Sequence, residues 1–115
     1  MSPAGLFALL WASLADLLGT AATAALLRRA AKRAQPMCPE LSGMVIALSG
    51  LSYDYRLPES WARQGDGQAL TALRRLAVEL RPLLIELAGP VVIRRLDRLT
   101  VLKEHGIEFV KEGQP

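Results

Sequence analysis

PAGLFALLWASLADLLGTAATAALLRRAAKRA, residues 3–34, contains no proline after its first position, and Gly5 and Gly19 are its only glycines. Ser2-Pro3 is a good helix start, with a hydroxyl to cap free N–H groups and a proline at the first helical position. The spacing predicts one helix over 3–34, which would span ~47 Å at a rise of about 1.5 Å per residue. A 115-residue domain has a diameter of roughly 35 Å. The helix is therefore too long for its own domain. Either it bends near Gly19-Thr20, or its excess packs on a second subunit, where the small residues from Gly19 to Ala25 admit a close helix crossing.

Asp16 is the only charge before the basic group Arg28, Arg29, Lys32 and Arg33. A basic cluster after an apolar run resembles a membrane segment with its carboxyl end inside. No Lys or Arg precedes the run, so it does not read as a secretory signal. Ser13, Asp16, Thr20 and Thr23 fall on one helical stripe, opposite Leu6, Leu10, Leu14, Leu17, Leu18, Ala21 and Ala25. An aspartate near the centre of a lipid-facing helix costs ~3 kcal/mol on insertion scales. Residues 6–27 are therefore read as a buried interface helix in a cytoplasmic protein, with a membrane anchor as the alternative.

Outward from this helix, 44–57 reads as a β-hairpin: an apolar run from Met44 to Leu48, a turn at Ser49-Gly50, then clean alternation. Leu51, Tyr53, Tyr55 and Leu57 share one face, and Ser52, Asp54 and Arg56 the other. Leucines at 70, 73, 76, 80, 84 and 87 mark a helix over 68–88, which Pro82 should kink or split. A helix over 90–105 follows, opened by Pro90 and capped by Gly106, with Ile107 placed to meet Leu102. The rival reading makes Val91–Leu96 a third strand. Ile107, Phe109 and the tail to Pro115 are candidates for a short extended segment. The expectation is one helix-rich α+β domain over 1–115.

Apolar residues make up 51% of the chain, which excludes disorder. Aromatics are only 5%, so the core must be aliphatic and packed mainly from helices. Phosphate-binding, nucleophile-elbow and paired-cysteine motifs are absent from the sequence. One cysteine, Cys38, and one histidine, His105, offer too few ligands for a transition metal. The expectation is a chain that is not an enzyme and holds no cofactor. Gly65-Asp66-Gly67 reads as a linker, and Asp54, Glu59 and Asp66 as a solvated face with Arg56 and Arg63.

Two groups remain as candidates. Trp11, Tyr53, Tyr55 and Trp61 would line an apolar pocket or interface, or form the hairpin's covered face. Arg28, Arg29, Lys32 and Arg33, with Arg94, Arg95 and Arg98, would contact anions or nucleic acid, or simply solubilise an apolar chain. The reading that follows is a non-enzymatic interaction or regulatory module, homodimeric through the first helix, with room for a small apolar ligand between hairpin and helices. Nucleic-acid binding and a membrane-anchored accessory role are its rivals.

Overall fold

Gly19 divides the long apolar stretch into two helices, α1 (Pro3–Leu18) and α2 (Thr20–Ala34), in a computed structural model that describes residues 2–63, 67–107 and 109. The helix expected over 3–34 is thus two, because Gly19 sits at φ 83°, ψ 162°, a region essentially closed to residues with a Cβ. Its N–H closes α1 on the Ala15 carbonyl at 2.8 Å, and its own carbonyl accepts the Thr23 N–H and Thr23 hydroxyl. One residue ends one helix and starts the next. A straight helix of ~47 Å would overrun the longest dimension of the fold, 38 Å.

The break also resets the phase of the buried face. In α1 that face is Leu6, Phe7, Leu10, Trp11 and Leu14, at the three- and four-residue spacing of an amphipathic helix. In α2 it is Thr23, Ala24, Leu26, Leu27, Ala30 and Ala34. Thr23, expected on the polar stripe, is therefore fully buried, and Ala21 and Ala25, expected on the apolar one, are exposed. Ser2 caps α1 as the sequence suggests, its Oγ accepting the Gly5 N–H at 3.1 Å. Among the described residues no helix is long and apolar enough to cross a membrane.

A short 3₁₀ turn (Pro39–Gly43) leads into an antiparallel hairpin of β1 (Val45–Ser49) and β2 (Ser52–Arg56). Its register pairs Ser49 with Ser52 and Val45 with Arg56, so the turn residues are Gly50 and Leu51 rather than Ser49 and Gly50. Gly50 takes φ 66° while Leu51 stays at negative φ, the pattern of a type II′ turn. Leu51, expected to share the inner face with the tyrosines, instead stands fully exposed at the tip. Helix α2 lies across the hairpin and reaches both strands. The Thr20 Oγ1 accepts the Tyr53 N–H of β2 at 3.1 Å, and eight residues on Arg28 donates to the Ile46 carbonyl of β1.

After a second 3₁₀ turn (Glu59–Ala62), α3 (Gly67–Ala88) runs unbroken through Pro82, whose ring is exposed. Its buried face, from Ala69 to Leu84, forms the centre of the core against α1 and α2. Residues 91–96 lie in α4 (Pro90–Asp97), so no third strand forms there. The helix expected over 90–105 ends at Asp97 and resumes as α5 (Thr100–Glu104). Leu102 follows Ile93 by nine residues, and at about 100° per residue an unbroken helix would face them in opposite directions. The non-helical backbone of Leu99 re-aims the chain, and both become buried.

Gly106 closes α5 at φ 78°, its N–H bonding the Lys103 carbonyl while the Ile107 N–H bonds that of Leu102, both at 2.9 Å. That pair is a Schellman cap. Ile107 and Phe109 are buried; the expected extended segment beyond them, and residues 65–66 of the expected linker, lie outside the described residues.

Candidate functional site

Three of the four singled-out aromatics converge, together with Phe7. The Phe7 ring meets Tyr55 edge-on at 4.7 Å between centroids, Trp61 at 6.3 Å and Trp11 at 6.5 Å, and Trp11 meets Tyr55 at 5.0 Å. These are ordinary distances for favourable ring packing. The Trp61 Nε1–H donates to the Glu40 Oε1 at 2.8 Å, linking the two 3₁₀ turns. Burial, with Asp54 adjoining, holds the Tyr55 hydroxyl above its usual pKa of 10.0. Phe7 lies four residues before Trp11, and that spacing on α1 is the signal that places it in the cluster.

Tyr53 stands apart. Its ring carries the Arg28 guanidinium 5.3 Å from the centroid, and the same guanidinium donates through Nε (3.0 Å) and Nη2 to the Ile46 carbonyl. Arg28 thus belongs to the packing of the hairpin on α2. Replacing it with alanine should lower unfolding free energy by ~1–2 kcal/mol, from one charge-assisted hydrogen bond and one cation–π contact. Lys32→Ala, on the same helix, should stay within about 0.5 kcal/mol. Equal shifts in urea midpoint for the two variants would contradict this role.

Two arginines of α3 act in the same way. The Arg74 Nε donates to the His105 carbonyl at 2.7 Å and the Arg81 Nε to the Phe109 carbonyl at 2.6 Å, so both clip the C-terminal segment onto α3. Arg75 pairs with Glu79 one turn on, at 2.8 Å. Arg29, Lys32 and Arg33 on α2, Arg94 and Arg95 on α4, and Arg98 at its C-cap are exposed. They sit on different helices, α2 packed on α3 and the hairpin, α4 on α3 and α1.

Cys38 is half-buried and lines an open cavity of about 600 Å³ with Met37, Glu40 and the first turns of α3. His105 is half-buried, its Nδ1 facing the Val101 carbonyl at 2.8 Å. The Asp54 carboxylate accepts the Tyr55 N–H at 2.8 Å, Glu59 is exposed, and Asp66 lies outside the described residues. Among the described residues no three His, Cys, Asp or Glu side chains stand close enough to hold a metal ion.

One further feature is absent from the sequence pattern. Between α2 and α3 runs a groove of about 350 Å³ walled by Ala22, Ala25, Leu26 and Arg29 on one side and Leu83, Glu86 and Leu87 on the other. The leucine stripe of α3 predicts that Leu87 is buried; it is 59% exposed. It lies four residues past the buried Leu83, and the α2 wall opposite, two alanines with Leu26 and Arg29, leaves it uncovered. No protein-family model, curated protein or solved structure matches this chain.

Proposed function

We propose that this chain is a non-enzymatic interaction or regulatory module that works as a homodimer. The observation that supports it is the distribution of apolar surface. Large apolar side chains stand exposed: Met37, Val45, Leu48 and Leu51 before and within the hairpin, Val78 and Ile85 on one side of α3, and Leu87 and Val91 at its end and at the start of α4. Large exposed apolar areas on small domains mark partner-binding faces. The original reason for a dimer, an overlong first helix, falls away with the break at Gly19; exposed leucine, isoleucine and valine take its place.

The aromatic cluster is assigned to packing rather than to a ligand. A small apolar molecule between hairpin and helices would have to separate rings already in contact with one another. Nucleic-acid binding is the second reading, favoured by the exposed Arg29, Lys32 and Arg33 at one end of α2.

Sedimentation equilibrium across a wide concentration range tests the main reading. A dimer at micromolar concentration is expected, and a monomer throughout would defeat it.

A further inference from the structure

We propose that the α2–α3 groove is the seat of a second copy of this chain, packed across a two-fold axis, an inference that rests on the homodimer reading and names its interface. An isologous contact requires a patch complementary to itself. This groove has that property in shape and in charge. Leu87 projects from the α3 wall beside a hollow floored by Ala22, Ala25 and Leu83, and under two-fold symmetry each Leu87 enters the hollow of the other copy.

Arg29 stands on the α2 wall and Glu86 on the α3 wall, and neither has a salt-bridge partner among the described residues. The same axis sets Arg29 against Glu86 of the second copy, twice over. A single-sign patch would repel its own image; this one attracts it. A stable dimer buries ~800 Å² per partner, about an eighth of the 6636 Å² this chain exposes. The groove and the neighbouring exposed turns of α2 and α3, apolar at Leu87 and charged at Arg29 and Glu86, are the surface from which such an area would be drawn.

Charge reversal tests the pairing without disturbing the core, since Arg29 and Glu86 are both exposed. Arg29→Glu and Glu86→Arg should each weaken dimerisation at least about tenfold, because like charges then face each other across the axis. The double variant R29E/E86R should recover most of that loss, and Leu87→Ala should weaken the dimer without a charge change. Circular dichroism of each variant reports whether the fold is kept. Dimerisation indifferent to all four variants overturns this seat and leaves the homodimer reading standing. Single variants that weaken the dimer without recovery in the double one overturn the Arg29–Glu86 pairing. A monomeric wild type overturns both the seat and the homodimer.

Discussion

Trp61→Ala should cost the fold about 3–5 kcal/mol, the range for removing a buried large aromatic side chain. Domains of this kind have total stabilities of ~5–15 kcal/mol, so the variant is expected to be largely or partly unfolded at moderate temperature. The reason is position as much as size. Trp61 is 0% exposed and touches Phe7 of α1. Its indole N–H reaches Glu40, so the connection into the hairpin and the connection out of it are tied through one side chain. With the ring gone, Phe7 loses one wall, and the Glu40 carboxylate loses its donor.

Two milder variants separate those effects. Trp61→Phe keeps an aromatic ring in place and removes the N–H, and should cost less than the alanine variant but more than Glu40→Gln. The latter retains a carbonyl oxygen as acceptor and should stay within about 0.5 kcal/mol, the range of ordinary surface changes. Urea unfolding followed by far-ultraviolet circular dichroism ranks the three. Trp61→Ala within 1 kcal/mol of the wild type, a limit set about threefold below the expectation, would show that the aromatic cluster does not carry this share of the stability.

How much of this was legible in the sequence depends on which interactions decide each feature. Local chemistry announced itself: the Ser2-Pro3 cap, the alternation of β2, Pro90 at the start of a helix and the Gly106 cap are all decided within a few residues. Features set by packing at a distance were not visible. The stripe Leu80, Leu84, Leu87 continues smoothly in sequence, but the first two are buried and Leu87 is not, and nothing near Leu87 in the sequence records what lies opposite. The hairpin register was missed by one residue because Ser49-Gly50 and Gly50-Leu51 both satisfy a glycine-containing turn, and cross-strand pairing decides between them.

Packing at a distance also decides which arginines are free charges. Counting arginines treats each as a free charge, whereas Arg28, Arg74 and Arg81 direct their guanidinium groups at backbone carbonyls of Ile46, His105 and Phe109. Those carbonyls are offered only once the chain is folded, 18 to 31 residues from their arginines. A guanidinium is suited to this use, since its planar set of donors remains charged at all physiological pH.

Gly19→Ala should cost ~1–3 kcal/mol, the strain of holding a non-glycine residue in that backbone region. The whole of it is conformational. A Cβ built on Gly19 meets no atom within 4 Å, so the variant adds no clash and removes no contact. The appropriate comparison is Gly67→Ala at the start of α3, where the added carbon also meets nothing but the backbone is not at positive φ. There the same methyl restricts the unfolded chain and should be neutral or stabilising by about 0.4–1 kcal/mol. Of two identical chemical changes, Gly19→Ala should therefore lower the thermal midpoint while Gly67→Ala leaves it unchanged or raises it. Alanine is also the best helix former, so Gly19→Ala favours the continuous helix over 3–34 that the native fold rejects. That helix would need ~47 Å where the fold offers 38 Å, and would carry the buried face of α1 away from α2 and α3. A variant as stable as the wild type would mean that residues 3–34 tolerate the straight form, and the break at Gly19 would lose its place as the feature that makes this domain self-contained.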